Sequence, residues 1–185
     1  MIKSKDDLRA YISQDVQRNN FDNGLISYHL NDIRVFLRHL RKLEYIKNTK
    51  RGVVWKCLTP VYLYRFKQRS KKLGFSIPPN VAGPGLTLPH YGNIVIHKNA
   101  RLGANCKVHV GVNIGAEYGK ADHVPTLGNH CYVAPGAKLF GKITIADNAT
   151  IGANAVVNKS FLKPGSIIVG VPAKCIRVEA QNAEI

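Results

Sequence analysis

Residues 127–157 read LGNHCYVAPGAKLFGKITIADNATIGANAVV, and an aliphatic residue returns at every sixth position: Leu127, Val133, Leu139, Ile145, Ile151 and Val157. Upstream, Ile96, Leu102, Val108 and Ile114 keep the same period. The next residue is often Gly or Ala, as at Gly103, Gly115, Gly128, Ala134, Ala146 and Gly152. The fourth residue after the aliphatic is usually small: Ala100, Cys106, Val112, Cys131, Ala137, Ala149, Ala155. A helix does not repeat at six with so many Gly and Asn, whereas short strands joined by tight turns do. Each coil then buries one aliphatic per side against its neighbours, the economy of a β-solenoid. Three hexapeptides make one triangular coil, so 77–174 predicts about five coils. The step from Ile114 to Leu127 carries seven extra residues, so AEYGKADHVP (116–125) leaves the stack as a loop. Loops expelled from a regular scaffold commonly carry function.

Before about Gly74 the pattern is helical. Ser4 and Asp7 suit a helix start, followed by Leu8, Tyr11, Ile12 and Val16 at helical spacing. A second helix starts near Asn31 or Asp32, with Ile33, Phe36, Leu37, Leu40 and Leu43 as its apolar stripe. Arg34, Arg38, Arg41 and Lys42 are expected mainly on its other side. A third segment, 53–73, contains Pro60, which should kink it or start a new helix, and Gly74 is a plausible stop. The expected organisation is therefore a basic α-helical region (1–75), a mainly β solenoid (76–178) and a short tail (179–185).

The 185 residues include 27 Lys and Arg against 11 Asp and Glu, a net charge of +16. Residues 1–75 contribute +11 of it. Such an excess implies an anionic partner: nucleic acid, an acidic membrane surface or a phosphorylated ligand. Cys57, Cys106, Cys131 and Cys175 show no C-x-x-C spacing, which argues against a zinc ribbon and a disulfide scaffold and for reduced thiols in a cytoplasmic protein. Charges interrupt residues 1–12, so no signal peptide is expected. No stretch reaches the ~20 apolar residues of a spanning helix.

The hexapeptides, the protruding loop, IGANAVVNKS (151–160) and the closing Gly170-Val171-Pro172-Ala173-Lys174 resemble the left-handed β-helix acyltransferases. The likeness is chiefly to serine acetyltransferases and to short O-acetyltransferases of surface-polysaccharide gene sets, and it covers 76–177. It implies a homotrimer with active sites in the grooves between subunits, and acetyl-CoA as co-substrate with no metal. LPHYG (88–92) resembles the catalytic-histidine segment, which makes His90 the base, and His123 takes the place of a second histidine on the loop. Tyr91, Asn113 and Asp122 fall at the acceptor by the same likeness. Ala153, Asn158, Lys159, Lys174 and Arg177 fall along the coenzyme A groove. Histidine suits the task because its unperturbed pKa is about 6.5. His97, His109 and His130 are expected to face outward as surface residues.

The chain departs from the serine acetyltransferase pattern at three points. Pro89 replaces an aspartate before the catalytic histidine, and Asp122 replaces an arginine before the second one. Phe75-Ser76 stands where an aspartate would pair with the base. These departures favour a sugar of a surface polysaccharide as acceptor, with L-serine as the alternative. The 51–72 segment interleaves Arg51, Lys56, Arg65, Lys67, Arg69, Lys71 and Lys72 with Trp55, Tyr62, Tyr64 and Phe66, which suits an anionic membrane surface. Two further readings are weaker. One is a carbonic-anhydrase-type metal enzyme using His90, His123 and His130. The other is a nucleic-acid-binding module, for which no recognised motif accompanies the charge.

Overall fold

The structure is a computed structural model that describes residues 1–22, 24, 29–49 and 52–179, without the side chains of Val53, Val54 and Lys56. Among the described residues three helices precede the solenoid: α1 (Lys5–Arg18), α2 (Asp32–Thr49) and α3 (Val53–Leu73). Ser4 and Asp7 close a reciprocal capping box on α1, each side chain satisfying the other's backbone N–H. Asn31 caps α2 by accepting the Arg34 N–H. The helix α3 runs through Pro60 as one element, so no new helix starts there. Its neighbour Thr59 donates its hydroxyl to the Trp55 carbonyl at 2.6 Å. Gly74 ends α3 in the left-handed conformation, φ 76°.

The expected stripe of α2 is buried, but its opposite side is not uniformly solvated. Arg41 is fully buried and Arg34 nearly so. Arg41 Nε donates to Asp15 at 2.8 Å and its Nη1 to Glu44 at 3.1 Å. The remaining guanidinium protons reach the carbonyls of Ala82 at 2.9 Å and Gly83 at 2.6 Å. Asp15 in turn accepts the N–H groups of Gly85 and Leu86. The helical period placed Arg41 off the apolar stripe, but α1 and the solenoid's first coil close over that side. Burial opposes its charge, and the two carboxylates outweigh that burial and hold the guanidinium pKa above its ordinary value.

Thirteen strands follow, almost all of two or three residues, in three sheets that form the sides of a parallel β-helix. The first side stacks β1 (Phe75–Ser76), β2 (Ile94–Ile96), β5 (Asn113–Gly115), β8 (Lys138–Phe140) and β11 (Val156–Val157). The second stacks β3 (Arg101–Leu102), β6 (Thr126–Leu127) and β9 (Thr144–Ile145), extended by bridges at Ala82 and Phe161. The third stacks β4 (Lys107–Val108), β7 (Tyr132–Val133), β10 (Thr150–Ile151) and β12 (Ser166–Gly170). Antiparallel β13 (Ala173–Val178) closes its C-terminal edge. Coils sit a sheet spacing apart, about 4.8 Å. All ten repeat aliphatics are buried, as are the small residues four positions on. A Cβ at Gly103 would meet the Gly128 carbonyl of the next coil at 2.6 Å, so glycine is required there by close approach.

Phe36 joins the two parts, stacking on Phe66 of α3 and meeting Phe75 of β1 edge-on at 5.1 Å. The basic segment of α3 is less free than its composition suggests. Phe66 is buried and Tyr62 packs on the core, leaving Tyr64 exposed. Arg69 and Lys72 both pair with Asp32. Arg51, the Lys56 side chain and 180–185 lie outside the described residues. Among the described residues no helix is long and apolar enough to cross a membrane.

Candidate active site

The corner between the third and first sides of the first coil is two residues longer than its counterpart in the next coil. Thr87 bridges Lys107 and Ile96 pairs with Ile114, so Leu88 to Ile96 spans the same corner as Val108 to Ile114. The surplus pushes His90 and Tyr91 out to the surface. Helix α1 fixes the approach to this corner: Asn19 donates its amide to the Leu86 carbonyl and accepts the Leu88 N–H at 3.0 Å. On the far side Gly92, at φ 136°, donates to the Leu73 carbonyl at 2.8 Å.

Below His90 lies His109, with ring centroids 6.4 Å apart, and below that Tyr132, 5.0 Å from His109. His109 Nε2 is buried with no hydrogen-bond partner. Burial, then Lys107 and His90, lower the His109 pKa. The residue faces outward after the inward Val108, as expected, but it is only partly exposed and its Nε2 is covered. The signal was present in the register: Val108 follows Leu88 one coil on, so His109 shares the corner with Pro89 and His90. His97 is half-buried and accepts the Asn99 N–H, while His130 is exposed at a corner with φ 56°.

The loop 116–125 folds on itself. Glu117 bridges Lys120, and its carboxylate accepts from Lys120 at 2.7 Å and from His123 Nδ1 at 2.9 Å. Those two hydrogen bonds lower the Glu117 pKa. Asp122 is exposed and accepts from the Asn99 amide at 2.9 Å. Within one chain His90 and His123 are not brought together: one is at the third-to-first corner, the other at the first-to-second, on opposite edges of the first side. Asn113 lies exposed on β5 of that side.

The five residues assigned to the coenzyme groove are all exposed. Lys159 lies over the Phe161 ring, and Arg177 pairs with Glu179 at 2.6 Å. Among the described residues of one chain no cluster of three or more His, Cys, Asp or Glu gathers to hold a metal.

Between the end of α1 and the first two coils opens a cleft of about 470 Å³. Leu88, Pro89 and Lys107 form its solenoid wall, and residues 18–22 with Asn31 form its helical wall. No sequence pattern marks it, because it exists only once the helical region docks on the solenoid.

The architecture, with its extruded loop, defines a left-handed β-helix of hexapeptide repeats, shared with solved serine acetyltransferases. The structure from Neisseria gonorrhoeae matches with a TM-score of 0.75 at 21% identity, covering 97% of this chain and 70% of that one. That of Brucella abortus in complex with coenzyme A matches with 0.71 at 22%, covering 96% and 69%. In sequence, the chain is 40% identical over 105 residues to a serine acetyltransferase of Helicobacter pylori, covering 56% of this chain and 61% of the relative. It is 36% identical over 101 residues to that of Mycobacterium tuberculosis, covering 54% and 43%. It thus spans about three fifths or less of the relatives' own length. No protein-family model matches the chain.

Proposed function

We propose that the chain is an acetyl-CoA-dependent O-acetyltransferase with His90 as its base. The observation that carries this reading is the enlarged first corner. It exposes His90 on the surface while α1 and the neighbouring strands hold its flanks. His90 removes the acceptor's hydroxyl proton as that oxygen bonds to the acetyl carbon, then returns a proton to the departing thiolate. Acetyl-CoA supplies the activated thioester; Ala153, Asn158, Lys159, Lys174 and Arg177 would lie along it, the cations toward its phosphates. The opposite placement of His90 and His123 supports a homotrimer, in which a corner of one subunit faces the other corner of the next. His123, oriented by Glu117, then lies across the groove from His90, with Tyr91, Asn113 and Asp122 around the acceptor.

For the acceptor, the names of the sequence relatives and solved neighbours support L-serine over the polysaccharide sugar favoured by the sequence. The sugar stays as a second reading on one observation: the loop presents the Asp122 carboxylate, held by Asn99, which repels an amino acid's carboxylate at that place. A cytoplasmic location belongs to either reading. Contact with an anionic membrane through 51–72 is the weaker part of the proposal, since Phe66 is buried and Arg69 and Lys72 are paired.

Thiol release from acetyl-CoA with L-serine and with a panel of sugars tests this. Release with either acceptor, reduced at least 100-fold by His90→Ala, is the expected outcome. Release that survives His90→Ala would overturn the assignment of the base.

A further inference from the structure

The cleft reaches Pro89, the residue before His90, and its wall carries hydrogen-bond donors alongside the apolar Phe21, Ile33, Leu88 and Pro89. Arg18 and Lys107 bring two positive charges to it, against one carboxylate, Asp22. The Asp22 carboxylate is engaged by the Gly24 N–H at 3.1 Å. Among the described residues no carboxylate pairs with Lys107, whose contact is the Tyr132 ring, 6.0 Å from its ammonium. Asn31 accepts the Arg34 N–H through its oxygen, which leaves its amide protons for a ligand. Asn19, by contrast, is committed to the backbone on both ends. The volume lies within the span of small-molecule sites, roughly 300–1,000 Å³. The wall formed by Pro89 and Lys107 adjoins the row of His90 and His109 rings.

We infer that this cleft is the acceptor's binding site and that it takes an acceptor bearing a negative charge, docked on Lys107 with Arg18 beside it. This rests on the acetyltransferase reading and names the substrate class of that site. An oxyanion satisfies the donors, and Lys107 offers a cation not already neutralised by a carboxylate. The placement also reconciles the reversed charge at Asp122 with a carboxylate-bearing acceptor, because the anion is read at the cleft and not at the loop. Two sources carry this chemistry: the carboxylate of L-serine, and that of an acidic sugar such as glucuronate.

The test compares partners that carry a carboxylate with counterparts that lack one. Binding of L-serine against L-serinamide, and of glucuronate against glucose, is measured by calorimetry on the full chain with coenzyme A present. The variants are Lys107→Met, Lys107→Arg and His90→Ala. One carboxylate-bearing partner is expected to bind roughly 10–100-fold tighter than its carboxylate-free counterpart. Lys107→Met should erase that preference, Lys107→Arg restore most of it and His90→Ala keep it. The carboxylate-bearing partner that shows the preference identifies the source. Equal binding with and without the carboxylate, or a preference untouched by Lys107→Met, overturns the inference. The two readings fail separately: preference without thiol release overturns the acetyltransferase and leaves the anion site, while thiol release without preference does the reverse.

Discussion

Arg41 is the side chain whose loss should cost the most stability relative to its size. It is fully buried and binds two carboxylates and two carbonyls drawn from α1, α2 and the first coil. Replacing it by Met keeps the apolar stem but strands Asp15 and Glu44 as buried charges. Breaking a buried pair from one side costs about 3–5 kcal/mol. In a chain of this size each kcal/mol lowers Tm by about 2–4 °C, so Arg41→Met should lower it by about 6–20 °C. Calorimetry at fixed protein concentration reads this, since Tm of an assembly depends on concentration. Asp15 would keep the Gly85 and Leu86 N–H groups, and Glu44 the Asn80 N–H. Adding Asp15→Asn and Glu44→Gln to Arg41→Met removes both stranded charges while keeping oxygen acceptors, and should recover part of the loss. A shift below about 3 °C for the single variant, or a triple variant no more stable than the single, would refute the reasoning.

Other tests follow from particular contacts. Gly103→Ala puts a Cβ 2.6 Å from backbone of the next coil and should cost about 1–3 kcal/mol in urea unfolding. Gly115→Ala meets only the Asn113 side-chain oxygen at 3.3 Å and should be nearly neutral. His39 and His109 both have pKa values lowered first by burial, so just below about 6.5 the unfolded chain binds more protons than the folded one. Stability should therefore rise with pH through that window, and Tm should fall from pH 7 to pH 5. His109→Gln should flatten the slope, and an unchanged slope would show that His109 does not contribute.

The solenoid was legible because its physics is local. An inward residue stacks on its equivalent one coil away, so the constraint repeats along the chain at a fixed interval. The helices were legible for the same reason: Ser4, Asn31 and Gly74 act within a turn of where they stand. The site was legible only in part. His90 and the loop histidine stood out as residues in interruptions of the period, Leu88–Ile96 and 116–125. His109 hid inside the period, since nothing in a regular hexapeptide marks which corner has an unsatisfied imidazole beside a second one.

The sequence by itself determined the coil, its corners and the place where the stack is interrupted. It also determined the helical region, with the starts of α1 and α2 and the stop of α3 at Gly74. Tertiary structure decided the rest. It turned Arg41 from a surface cation into a buried linchpin, put His109 beneath His90, and opened a donor-lined cleft between α1 and the first coils. The physical reason is that each of these depends on how the helical region docks against the solenoid. That docking joins residues tens of positions apart through burial and charge, and neither leaves a period in the chain.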